Sequence, residues 1–106
     1  MKKTTVNKKA SVKKKTLKKQ KWSFHEDVIC CYVYKEYFII SKSDDVKAAI
    51  GKVKKLFQNN KKDTSIDQRF KNIKMLMNNR GKSDTFPRVP RANYSKSTEA
   101  AFDLVI

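Results

Sequence analysis

The segment TSIDQRFKNIKML (residues 64–76) carries side chains that can recognise the edges of nucleic-acid bases. An Arg guanidinium can donate two hydrogen bonds to O6 and N7 of guanine, and an Asn or Gln amide can pair with N6 and N7 of adenine. Gln68 and Arg69 precede Asn72 by four and three residues, so a helix places all three on one side, which is expected to be exposed. The predicted nucleic-acid-binding residues are Ser65, Gln68, Arg69, Lys71, Asn72 and Met75.

Phosphate contacts are also expected from this segment. Ser65, Lys71 and the main-chain N–H groups at the helix start could bind phosphate, because a helix N-terminus carries partial positive charge. Asp67 opposes this, since its carboxylate would face phosphate unless it is used in capping the helix. The alternative interpretation is an ordinary solvated side of a helix.

Residues 1–21 contain ten lysines and no acidic residue. Like charges repel and bury no apolar surface, so this arm is predicted to be disordered when free. It could follow a phosphate backbone or enter a minor groove, and KKASVKKK (residues 8–15) would also serve as a nuclear localisation signal in a eukaryote. The candidate contacts in the arm are Lys13, Lys14, Lys15, Lys18 and Lys19.

The charge balance points to a polyanionic partner. Lys and Arg number 26 against 10 Asp and Glu, for a formal net charge of +16. Nucleic acid is the commonest partner of such a chain, ahead of an acidic protein or an anionic membrane. No apolar run reaches the roughly 18 residues of a membrane span, and the N-terminus lacks the apolar stretch of a secretory signal. We expect a protein of the cytoplasm (the host-cell cytoplasm if phage-encoded, the nucleus if eukaryotic) that binds no membrane.

Residue types suited to catalysis are scarce. His25 is the single histidine, and Cys30 and Cys31 are adjacent, a geometry that seldom forms a disulfide. The sequence has no CxxC pair, no Gly-rich phosphate loop and no Cys–His arrangement with a suitable base. We predict a protein that is not an enzyme and needs no metal or cofactor, with two reduced thiols in its core.

Hydrophobic periodicity predicts an all-α fold with three main helices. The first begins at a capping box, in which the Ser23 hydroxyl accepts the Glu26 N–H and the Glu26 carboxylate accepts the Ser23 N–H. The second begins at an N-cap at Ser43 or Asp44. Its apolar stripe is the clearest in the chain: Val46, Ala49, Ile50, Val53, Leu56 and Phe57.

The third helix is predicted to start at a box-like Thr64 or Ser65 and to stop at Gly81. An extended segment with two prolines (residues 82–97) follows, and then a short last helix capped at Ser97. The expected anchors of the extended segment are Phe86, Val89 and Tyr94. The residues expected to dock the last helix on the first are Phe102, Val105 and Ile106.

The motif WSFHED (residues 22–27) at the start of the first helix resembles the first helix of Myb/SANT-type domains, and it continues into Cys30, Val33, Tyr34 and Tyr37. TSIDQRFKNIKML lies where that family has its third helix. The resemblance covers roughly residues 22–80, and the same architecture is similar to small domains that accompany endonucleases and other mobile-element proteins in bacteria and phages. It implies a trihelical, helix-turn-helix-like domain whose third helix enters the major groove.

Trp22 is predicted to be a core residue that packs on the third helix, with a platform for a stacked base as the alternative. The expected organisation is a disordered arm (residues 1–21), a trihelical domain (residues 22–80) and an extended segment with a C-terminal helix packed on the same domain (residues 81–106).

Three functions follow in order of preference. The first is binding of duplex DNA through the third helix and the lysine-rich arm. The alternative is a small basic phage-type inhibitor that docks on a nucleic-acid enzyme or ribonucleoprotein, for example a host defence nuclease. RNA binding ranks third, because the sequence does not interleave aromatic and basic residues as RNA-binding modules do.

Overall fold

The computed structural model describes residues 22–57 and 61–106. Within these two ranges the chain forms four α-helices and no strand, so the predicted all-α fold class is confirmed. The helices are α1 (Phe24–Tyr34), α2 (Val46–Leu56), α3 (Asp63–Asn79) and α4 (Lys96–Val105), and a π-helical turn (Lys35–Ile40) continues α1. The arm predicted for residues 1–21 lies outside the described residues.

The predicted capping box starts α1. The Ser23 hydroxyl accepts the Glu26 N–H at 3.1 Å, and the Glu26 carboxylate accepts the Ser23 N–H at 3.0 Å. The helix that follows is apolar on more than one side, and it packs against α2, α3 and α4. Its buried apolar side chains are Cys30, Cys31, Val33 and Tyr34.

The start of α2 differs from the predicted N-cap. Asp45 caps this helix, because its carboxylate accepts the Ala48 N–H at 3.0 Å. The Ser43 hydroxyl accepts the Asp45 N–H at 3.0 Å and so stabilises the turn before the helix. The apolar stripe is buried at four positions as predicted, whereas Leu56 is exposed: the buried residues are Val46, Ala49, Ile50 and Val53.

The helix α3 begins earlier than the predicted box at Thr64 or Ser65. The Lys62 carbonyl accepts the N–H groups of Ser65 and Ile66 at 3.0 and 3.2 Å, so the first turn already includes Asp63. Its apolar side faces the core with Ile66, Phe70, Ile73, Leu76 and Met77.

The predicted stop of α3 at Gly81 is confirmed. Gly81 has a φ of 64°, and the Lys82 N–H donates to the Met77 carbonyl at 2.9 Å in a Schellman-type end. The left-handed backbone conformation at this position costs little free energy for glycine and more for a residue with a Cβ. The chain then leaves as an extended segment, residues 82–95, which we call the strap.

Four aromatic rings form the centre of the core. They come from α1, the π-helical turn, α3 and the strap: Tyr34, Phe38, Phe70 and Phe86. Neighbouring ring centroids lie 5.1–6.0 Å apart, mostly edge to face, which is the arrangement favoured by aromatic quadrupoles. The buried Asp84 carboxylate accepts the Tyr34 hydroxyl at 2.9 Å and the Lys74 ammonium at 2.8 Å. Burial, together with this carboxylate, raises the pKa of Tyr34 above its ordinary value, so the phenol stays a donor.

The anchors of the strap differ from the prediction at one position. Phe86 is buried and Tyr94 half-buried, as expected, but Val89 is 79% exposed. On either side of Val89 the strap is held by polar contacts instead. The Arg88 guanidinium lies 3.2 Å from Asp67, and the Arg91 N–H donates to the Lys71 carbonyl at 3.1 Å.

The last helix, α4, packs against α1 with Phe102 buried and with Val105 and Ile106 partly buried. Its N-cap is Ser95 rather than the predicted Ser97, because the Ser95 hydroxyl accepts the Thr98 N–H at 3.1 Å.

We expect both thiols to be unreactive in the folded protein. Cys30 and Cys31 are completely buried, and burial raises the pKa of Cys31 to about 12 and that of Cys30 well above its ordinary value. The thiolate is the reactive species, so a disulfide reagent should label neither residue at pH 9, where an unfolded thiol is half ionised. In denaturant the same reagent should label both at once. Rapid labelling of either cysteine under native conditions would contradict this arrangement.

Candidate nucleic-acid interface

Arg69 does not face solvent, so the prediction of its exposed position is wrong. Its side chain is 12% exposed, with Nε 3.2 Å from Oδ1 of Asp27. One terminal nitrogen donates to the Thr98 hydroxyl at 2.5 Å, and the guanidinium carbon lies 4.4 Å from the centre of the Trp22 ring. The reason is the Asp27 carboxylate, which is completely buried. Burying a charged group lowers the free energy of unfolding by several kcal/mol unless a cation lies beside it.

The α4 helix completes this site. The Ser97 hydroxyl donates to Oδ2 of Asp27 at 2.7 Å, and the Thr98 hydroxyl donates to Oδ1 at 3.2 Å. This contact also explains why Ser97 is not the N-cap. As an acidic residue in the first turn of α1, Asp27 suits the positive end of the helix dipole, and this role alone gives no reason to expect a buried ion pair. The available signal was that Asp27 directly precedes a nearly continuous apolar run, which places it at the edge of the core.

Trp22 packs on α3 as predicted. Its partly buried ring lies under the Arg69 guanidinium and meets the Phe57 ring edge to face at 5.7 Å. The Lys61 ammonium lies 5.1 Å from the same ring and 3.7 Å from the Glu26 carboxylate. Trp22 therefore contributes a cation-binding aromatic face to the interior of the protein.

Asn72 is also turned away from solvent, which corrects a second prediction. It is 5% exposed, and its amide donates to the carbonyls of Arg91 and Asn93 at 2.9 and 3.3 Å. These carbonyls belong to the strap, which has no helical partners for them and so needs donors from α3. An adenine could reach the Asn72 amide only if this part of the strap moved.

The strap covers much of the side of α3 that was predicted to meet nucleic acid. Its contacts run along the helix from Asp67, which pairs with Arg88, to Asn79, whose amide donates to the Tyr94 hydroxyl at 3.3 Å. Of the remaining predicted residues, Gln68 is exposed, Ser65 and Met75 are half-buried, and Lys71 lies 3.5 Å from Asp67. The predicted contacts Lys13, Lys14, Lys15, Lys18 and Lys19 lie outside the described residues.

The exposed side of α2 carries the clearest basic surface. We call it the α2 lysine face: Lys47, Lys52, Lys54 and Lys55. Helical geometry places these residues on the side opposite the buried Val46, Ala49, Ile50 and Val53. Lys54 pairs with Asp63 at 2.7 Å, whereas the other three lysines make no ion pair with any residue that the structure describes.

Two acids without an ion pair among the described residues, Asp44 and Asp45, lie at the start of α2 beside Lys47, and most of the other acids are neutralised. Among residues 22–57 and 61–106, seven of the ten acidic side chains lie in ion pairs with Lys or Arg. Several of these pairs are internal to the fold, such as Asp27 with Arg69 and Asp84 with Lys74. The α2 lysine face can therefore attract phosphate as a set of point charges on long stems.

No group of three or more His, Cys, Asp and Glu side chains in the described ranges could hold a metal ion. None of the helices described is long and apolar enough to cross a membrane.

Comparison of the chain with protein-family models, with curated proteins and with solved structures finds no match. The similarity to Myb/SANT-type domains therefore stays a prediction that rests on WSFHED and TSIDQRFKNIKML.

We expect Asp27→Asn to destabilise the protein by about 3 kcal/mol, because it removes one partner of a buried ion pair and leaves the Arg69 charge uncompensated. The free energy of unfolding is measured by urea denaturation. Asp44→Asn is the matched control, since it removes the same charge from an exposed side chain and should change stability by less than about 0.5 kcal/mol. Equal effects of the two variants would contradict the role given to Asp27.

Proposed function

We propose that the chain is a nucleic-acid-binding protein without catalytic activity, which contacts the phosphate backbone of duplex DNA mainly by electrostatic attraction. The observation that carries the proposal is the α2 lysine face, three of whose four lysines lack an ion pair among the described residues. The formal net charge of +16 supports it, because most of the excess charge is not neutralised within the protein.

The physical basis is the release of counterions. Duplex DNA holds a condensed layer of cations, and each phosphate neutralised by a lysine returns part of that layer to solution. This contribution needs no particular base sequence and no deep pocket. It suits lysine side chains, which are flexible and carry a compact charge.

Base reading by α3 is not part of the proposal. Arg69 and Asn72, the two residues best suited to it, are engaged with Asp27 and with the strap. Gln68 is the remaining exposed side chain of the predicted set that could pair with adenine. We therefore infer binding that depends weakly on sequence, with the lysine-rich residues 1–21 adding further phosphate contacts.

Two triple variants of the full chain separate a localised surface from general charge. Lys47→Gln/Lys52→Gln/Lys55→Gln removes the unpaired lysines of the α2 lysine face. Lys42→Gln/Lys82→Gln/Lys96→Gln removes three exposed lysines from other elements, with the same loss of charge. Affinity for a labelled mixed-sequence duplex is measured by fluorescence anisotropy over a series of salt concentrations.

The slope of log affinity against log salt should fall by about 2 to 3 in the α2 variant, because each lost phosphate contact contributes roughly 0.9. The control variant should lose less than about 1. Equal slopes for the two variants would show that the α2 lysine face is not the contact surface. Absence of duplex binding by the parent at low salt would end the proposal, and tighter binding of an RNA hairpin would favour RNA as the partner.

A further inference from the structure

A second surface lies where the π-helical turn meets the end of α4. An open groove of about 440 Å³ is present there. Its lining residues are Tyr32, Lys35, Glu36, Ile40, Ser41 and Val105. The groove is formed by elements that do not include α2 or α3, so it is separate from the α2 lysine face.

Two large apolar side chains at this groove are mostly exposed to solvent. Tyr32 in α1 is 53% exposed, and Ile40 at the end of the π-helical turn is 66% exposed. Exposed aromatic and aliphatic side chains that line a concavity are typical of sites where a partner docks.

Glu36 gives this groove its chemical character. Its Oε1 atom is buried and has no hydrogen-bond partner, and the side chain forms no ion pair within the part of the chain that the structure describes. The other two buried atoms in this condition, on Asp67 and Arg69, each lie 3.2 Å from an oppositely charged group. An enclosed carboxylate oxygen without a donor loses hydration that nothing replaces, so a cation that donates to Glu36 would be favoured in this groove.

The neighbouring lysine does not supply this cation. The Lys35 ammonium donates to the Val105 carbonyl at 2.9 Å and so ties the π-helical turn to the end of α4. The Phe38 carbonyl, near the end of the π-helical turn, accepts no further helical N–H among the described residues. It accepts the N–H and the hydroxyl of Thr85 in the strap, at 2.9 and 3.1 Å. The fold thus holds the wide turn in place while Glu36 stays unpaired, and π-helical turns of this kind are frequent at functional sites.

We propose that this groove is a docking site for an arginine side chain presented by a protein partner. The guanidinium would donate to the Glu36 carboxylate, its plane would stack on the Tyr32 ring, and its aliphatic stem would pack on Ile40 and Val105. Arginine fits better than lysine because it combines a fork of donors with a planar group that stacks on aromatic faces. The site goes beyond nucleic-acid binding and does not depend on it, and an inhibitor that docks on another protein would need such a surface.

The test uses the full chain and peptides rather than an unknown partner. A library of random displayed peptides is selected against the immobilised parent protein, and the strongest binder is synthesised with its arginine intact or replaced by citrulline, a neutral isostere. Each peptide is then titrated into the parent, into Glu36→Gln and into the matched control Asp44→Asn. Asp44 is exposed and outside the groove, so its variant loses the same charge.

Enriched peptides should contain arginine next to an apolar residue, and the citrulline peptide should bind the parent about 10-fold more weakly, because a hydrogen bond to a charged group is lost. Glu36→Gln should show the same loss and should no longer distinguish arginine from citrulline, whereas Asp44→Asn should behave as the parent.

Failure of the library to enrich any peptide, or peptides that bind Glu36→Gln as tightly as the parent, would overturn the proposal. A protein dimer that Tyr32→Ser dissociates would also overturn it, since the groove would then be filled by a second copy. Duplex binding by Glu36→Gln at parental strength would show that the groove acts separately from the α2 lysine face.

Discussion

The arrangement of the helices depends on one buried ion pair, that of Asp27 with Arg69. The carboxylate comes from the first turn of α1 and the guanidinium from α3, and two hydroxyl groups from the start of α4 complete the ligands of the carboxylate. A charge so deeply buried tolerates few geometries, because every displaced partner leaves a desolvated group. The pair therefore fixes where α3 and α4 lie relative to α1 as much as it adds to stability.

This constraint changes the function that the sequence of α3 suggests. A guanidinium that neutralises Asp27 and covers Trp22 cannot also extend to a guanine in a major groove. Asn72 illustrates the same conflict, since its amide serves strap carbonyls that have no helical partners. The two residues with the best chemistry for reading bases thus have interior roles, and the basic surface lies on α2.

Local rules explain what the sequence could predict. The capping box of Ser23 and Glu26, the stop at Gly81 and four of the six positions in the apolar stripe of α2 were confirmed, and all depend on residues a few positions apart. The contacts that determine which side of α3 is covered depend on residues much farther apart. An example is the contact of Ser97 with Asp27, 70 positions earlier, which positions α4 beside Arg69. Helical periodicity places Arg69 and Asn72 beside the exposed Gln68, and only the positions of α4 and the strap reveal that they are covered.

The use of charge inside the fold also explains the character of its surface. Since seven of the ten acidic side chains are paired in the described ranges, the unpaired lysines dominate the outside. Glu36, which is half-buried with one enclosed carboxylate oxygen, is one of the three acids that have no ion pair there. The nearest base in the sequence is Lys35, the direct neighbour of Glu36. Its ammonium donates to a main-chain carbonyl of α4 and so does not pair with Glu36. In the proposed functions a polyanion would approach the four lysines on the exposed side of α2, whereas a cationic side chain would meet at Glu36 a carboxylate that no described residue neutralises. The two proposed surfaces would take partners of opposite charge, so one small chain could hold both at the same time.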